Sequence, residues 1–249
     1  MTSSKTPKFK TQKTAFYVLL TYFFVFQLSG FIFVIPAVAD FALNLIDAPA
    51  EQKGAIMTSW WTFMMGILSL IIIFVLAMKN RDFFHVYKGE KATIPQAIGW
   101  GIIGFFLVFF GQSIGAYIET EILGIEAGSE NTATFIEIAK AAPIMILVIA
   151  LIGPILEELV FRRVIFGSLI QVQGFWISAI ISGIIFAAIH FDFTHILLYT
   201  ICGLVFAFLY HKTKRLLTSI IAHVLLNSFV VFVQFNIERI QQYLETLPK

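Results

Sequence analysis

Seven residues in three apolar stretches of this 249-residue chain carry the groups needed for hydrolysis. They are Glu157, Glu158 and Arg162, then Phe186 and His190, then His223 and Asn227. A charged side chain at mid-membrane costs about 2.5–3.5 kcal/mol even on the mild insertion scale, so such residues mark functional sites by default. Carboxylates and imidazoles together make an acid/base set. An imidazole and an amide can donate N–H groups to a developing oxyanion.

The spacing sorts these groups. Glu158 and Arg162 are four apart, on one helix face, with the acid on the N-terminal side, the favourable order for an ion pair. Glu157 is turned about 100° away and has no local partner, which makes it the better general base. Phe186 and His190 share a face, as do His223 and Asn227. The two stretches around Gln173-Gly174 form a hairpin. Glu157 lies sixteen residues before Gln173 and His190 sixteen after Gly174, so they reach similar depth and can hold one water. His223 and Asn227 then serve the oxyanion. Pro154 cannot donate to the Ala150 carbonyl, so a kink is expected there, aiming Glu157 into a cavity or merely bending the helix. Ser219 stands four before His223, which leaves a serine mechanism open without an obvious acidic orienter.

Other readings remain. A lone buried His is commonly a packing residue, and a Glu–Arg pair is commonly structural. The same set suits an ion or proton pathway, and hence a proton-coupled carrier, or the polar glue of a membrane scaffold. No internal repeat of the carrier type is evident. His85, His195 and His211 sit at span edges and read as solvated loop residues, with His195 close enough to His190 to support it.

The elements that must hold these groups are transmembrane helices. The chain is 59% hydrophobic and 13% charged, with 28 Phe and mean hydropathy +0.88. That excludes an ordinary soluble domain. The net charge of +2 is spread over loops and forms no nucleic-acid patch. Cys202 is the single cysteine, so neither a disulfide nor a cysteine-based metal site forms within one chain. With about 20 apolar residues per span, about seven spans are expected, near 15–39, 57–78, 94–118, 142–162, 174–191, 195–210 and 216–235. This predicts an all-α polytopic bundle: N-terminal helices over 15–118, a core over 142–235, and tails at 1–14 and 236–249. Ala37-Val-Ala39 resembles a signal-peptidase site, but the run from Ala15 to Pro36 is too long for a signal core, so a retained first span is expected. The segment 129–141 reads as an interfacial amphipathic helix with a capping box at Thr134 and Glu137, either a linker or a substrate gate. Gly111 and Gly115 are spaced for close helix approach, within this chain rather than across a dimer. Thirteen of the seventeen Lys/Arg fall on one side if the N-terminus is cytoplasmic, which puts the C-terminus outside.

Glu157-Glu158-x-x-x-Arg162, Phe186-x-x-x-His190 and His223-x-x-x-Asn227, in that order, resemble the signature of the CPBP (Abi) membrane proteins. These include the CAAX prenyl endopeptidases of the Rce1 type. The resemblance covers roughly residues 140–230. It implies an intramembrane endopeptidase in which Glu157 and His190 activate water, and His223 and Asn227 bind the oxyanion. Glu158, Arg162 and Phe186 are the supporting residues. The expected partners are membrane lipid and a hydrophobic or membrane-anchored peptide, a prenylated CAAX protein or a leader peptide among them. The expected location is a bacterial plasma membrane. The family is commonly labelled as metalloproteases, so the cofactor is zinc or none. Glu157, His190 and His223 are the candidate ligands, although no His-Glu-x-x-His helix is present.

Overall fold

A computed structural model describes residues 9–246, and every regular element among them is helical. Lys5 and Lys8 of the expected basic tail lie outside these residues, as do 247–249. Six helices are long and apolar enough to cross a membrane. They are α1 (Thr11–Val34), α3 (Ala50–Lys79), α4 (Ile94–Ile122), α6 (Ile144–Leu169), α8 (Phe193–Thr213) and α9 (Leu216–Phe235). Between them lie α2 (Pro36–Asn44), α5 (Glu130–Ala141), α7 (Phe175–Ala188) and, at the end, α10 (Ile237–Glu245).

Several boundaries move from their expected places for local reasons. The first helix starts at Phe9, inside the expected tail. Its span stops before residue 39 because Pro36, which has no N–H to offer a preceding turn, opens a new helix at its N1 position. The second span starts at Ala50 rather than 57, with Glu51 in its first turn, where an acid favours the helix dipole. The cap of α5 is Ser129, whose hydroxyl accepts from the Thr132 N–H at 3.2 Å; Thr134 lies within the helix. The fifth expected span, α7, is a regular helix of only 14 residues, about 21 Å. It is flanked by turns, and Trp176, Ile177, Ile180 and Ile184 face outward.

Contacts between loops define the two ends of the bundle. At one end the 79–93 loop meets the 211–215 turn. Lys214 donates to the Lys88 carbonyl at 3.0 Å, and Arg215 to that of Ala92. Arg163 at the same end donates to the Phe83 carbonyl and lies over its ring. His211 is not solvated as expected; it packs among Phe166, Phe175 and Tyr87. Burial there pushes the Tyr87 phenol above its ordinary value. At the other end His195 is buried rather than solvated. Its Nδ1 donates to Glu119 at 2.8 Å, and the second Glu119 oxygen accepts the Leu198 N–H at 3.1 Å. Glu119 of α4 therefore caps the start of α8. His85 remains exposed, 3.8 Å from Asp82.

Small residues set the helix spacing inside. A Cβ on Gly111 or Gly115 would stand 2.9 Å from Ile201, so this pair serves α4–α8 packing within the chain. Gly203 of α8 faces Gly183 of α7, where an added Cβ would lie 2.7 Å from the Gly183 Cα. No flexible side chain is present to yield. Gly203→Ala is expected to destabilise the protein by about 1–3 kcal/mol through overpacking. Unfolding in detergent measures it, and an unchanged midpoint would mean the α7–α8 contact is looser than described.

Candidate active site

The motif residues are carried by α6, α7, the turn that follows α7, and α9. In α6, Glu158 and Arg162 are fully buried, with Arg162 Nε 3.4 Å from Glu158 Oε2. The guanidinium lies over Phe186 of α7 at 4.5 Å and Phe206 of α8 at 5.1 Å. Its Nη groups have no hydrogen-bond partner among the described residues, so two ring faces supply the remaining compensation.

The same carboxylate fixes His223. Glu158 Oε1 accepts from His223 Nδ1 at 3.1 Å, which assigns the Nδ1 proton and leaves Nε2 on the opposite edge. Nε2 lies 3.6 Å from Glu157 Oε2. His223 thus stands between the two glutamates. This adds two points to the sequence reading. The imidazole that faces Glu157 at ion-pair distance is His223. In its neutral form, moreover, His223 presents a lone pair toward the site, so it donates there only when doubly protonated. Phe206 stacks on the His223 ring with centroids 4.5 Å apart.

His190 is held separately. Its Nδ1 donates to the Phe186 carbonyl at 2.8 Å, which leaves Nε2 free. Tyr199 stacks on the ring at 4.1 Å and Phe186 meets it edge-on at 4.9 Å. Phe186 thereby touches Arg162, His190 and His223 together. Tyr199 also reaches α5: its hydroxyl is 3.0 Å from Ser129 Oγ, which donates to Asp192 at 2.6 Å.

Glu157, His190, His223 and Asn227 all line one cavity of about 430 Å³. Asn131, Thr132, Phe135 and Ile136 of α5 close part of its wall. Ser219 is buried, donates to the Leu216 carbonyl at 3.1 Å and does not line the cavity.

Asn227 is tied to a break in α6. Val148–Ile152 forms a π-helical turn, in which the Gly153 N–H bonds the Val148 carbonyl. The next donor in that register is residue 154, a proline. The Ile149 carbonyl loses both of its usual main-chain donors, and Asn227 Nδ2 donates to it at 3.0 Å. One amide N–H of Asn227 is thus committed to the scaffold, and one remains for the cavity.

Residues 139–229, which contain all seven motif residues, match the family described as type II CAAX prenyl endopeptidase Rce1-like. YdiL of Bacillus subtilis (strain 168), provisionally named a membrane peptidase, is 36% identical over 234 residues, which are 94% of this chain and 93% of YdiL. The chain belongs to the Rce1-like CAAX endopeptidase family. MroQ of Staphylococcus aureus (strain USA300), a membrane-embedded CAAX protease, is 40% identical over 172 residues, 66% of this chain and 68% of MroQ. The UPF0177 protein YxdF of Lactococcus lactis is 29% identical over 167 residues, 65% of this chain and 89% of YxdF. No solved structure matches. Membership and the apolar helices establish a multi-pass integral membrane protein of bacterial type, with peptidase relatives.

Of the three candidate metal ligands, Glu157 and His223 approach each other, Oε2 to Nε2 at 3.6 Å. Among the described residues no three His, Cys, Asp or Glu side chains gather where they could hold one ion, and Glu157, His190 and His223 are no exception.

The Asn227–Ile149 bond predicts a coupling. Asn227→Ala is expected to cost about 1 kcal/mol by leaving the Ile149 carbonyl without a donor. In a Pro154→Ala background the new N–H can reach that carbonyl, and the same change is expected to cost less. A double-mutant cycle by detergent unfolding measures this; equal costs in both backgrounds would show that the amide does not serve Ile149.

Proposed function

We propose that this protein is an intramembrane endopeptidase that hydrolyses a peptide bond in a hydrophobic or membrane-anchored substrate, using water activated by Glu157. The observation that carries the reading is the 3.6 Å approach of Glu157 Oε2 to His223 Nε2 in a cavity that His190 and Asn227 also line. A water between Glu157 and His190 Nε2 gives its proton to Glu157 as its oxygen attacks the carbonyl carbon. The free Asn227 N–H faces the oxyanion that forms. The proton on Glu157 then passes to the departing amine, either directly or through His223 Nε2, and the C–N bond breaks. Glu158 keeps the His223 ring in one orientation throughout, with its own charge balanced by Arg162. Water-poor surroundings strengthen each of these contacts. The names of the relatives favour a CAAX-type substrate; the site chemistry also accommodates a leader peptide.

Glu157→Gln keeps the shape of the side chain and removes its basicity. Membranes carrying the Gln variant are expected to lose peptide termini that wild-type membranes contain, while the variant accumulates to the wild-type level. Terminus-selective proteomics makes the comparison. Identical terminus profiles from the two would remove the proteolytic reading.

A further inference from the structure

The two ends of the bundle differ in charge, and the cavity reaches only one of them. Segments 79–91 and 211–215, which meet at one end, hold seven basic and two acidic residues. Segment 119–141, which meets 189–195 at the other end, holds five acidic residues and one basic. The cavity is lined by Ser129, Asn131 and Thr132 of that acidic segment and by no residue of the basic loops. Gln27, Thr62 and Gln112 add neutral amides and a hydroxyl from the halves of α1, α3 and α4 that lie toward the acidic end.

Basic loops stay on the cytoplasmic side of a membrane protein. We infer that the catalytic cavity opens to the extracytoplasmic face, and that its substrate is a peptide segment presented from outside: an exported precursor or the outer part of another membrane protein. Neutral amides and hydroxyls along this part of the cavity wall suit the polar groups of an extended peptide backbone. The word substrate rests on the proteolytic reading above; the sidedness does not. Helix α7 turns the chain at its two ends, carrying it from the 170–174 turn back to 189–195, so the ends stay consistent although α7 is short.

The chain has a single cysteine, Cys202, which is buried. In a Cys202→Ala background, Asn131→Cys marks the cavity entrance and Lys88→Cys the basic end, with Glu126→Cys as a second outer position should Asn131→Cys fail to accumulate. The full chain is produced in a Gram-positive host, and intact cells are treated with a membrane-impermeant sulfonated maleimide. Asn131→Cys or Glu126→Cys is expected to label in intact cells, and Lys88→Cys only after the cells are opened. Labelling of Lys88→Cys in intact cells, or of the outer positions only after opening, overturns the assignment. If the outer positions label as expected while Glu157→Gln changes no terminus, the sidedness stands and the proteolytic reading falls.

Discussion

The arrangement depends on neutralising Glu158 and Arg162 in the middle of a hydrophobic bundle. Breaking a buried pair by removing one partner costs about 3–5 kcal/mol, because a bare charge is left behind. Everything adjacent answers that constraint. Phe186 and Phe206 cover the guanidinium with their ring faces. His223 completes the shell of the carboxylate through Nδ1. Because the pair is fixed, His223 is fixed, and its other nitrogen has one direction to face, toward Glu157. The ion pair is thus a mounting for an imidazole from another helix, and adjacent glutamates take different tasks because one is committed to the mounting.

A second mounting lies on the opposite side of Glu157. The π turn at Val148–Ile152, followed by Pro154, leaves a carbonyl that the backbone cannot serve. A side chain from α9 fills the vacancy. Glu157 therefore sits between two places where α9 bonds to α6, one through His223 and one through Asn227. α9 locks the position of the stretch of α6 that carries Glu157, and a change in the seam between these helices acts on Glu157 at once.

The fold class was legible in the sequence because hydrocarbon imposes its own length scale, and apolar runs report it directly. The Glu158–Arg162 pair was legible too, since four residues along one helix is a local relation. The tertiary relations were not. The placement of Glu157 opposite His223 depends on how α6 and α9 rotate against each other, and symmetry about the Gln173-Gly174 turn gave equal depth to Glu157 and His190 without giving the rotation. A switch to i→i+5 bonding leaves no periodicity to read, so the commitment of Asn227 to Ile149 was hidden, although Pro154 marked the place. Tyr199 and Phe206 carry no motif, and in a chain with 28 Phe another aromatic residue in a span conveys little. His195 looked solvated because its partner, Glu119, lies 76 residues away.

Helix α7 has a consequence beyond packing. At about 21 Å it falls short of a hydrocarbon layer of about 30 Å. Its isoleucines face outward, so lipid rather than protein meets the deficit on that side. A bilayer accommodates a short hydrophobic stretch by thinning beside it, at a modest cost per ångström. The thinned zone borders His190, which follows the last turn of α7, and the exposed Phe191 next to the cavity. Acyl-chain length thereby becomes a variable acting on the enzyme. A thicker membrane draws that end of α7 and its imidazole deeper into hydrocarbon, and a thinner one brings the site nearer to water and to the segments it receives.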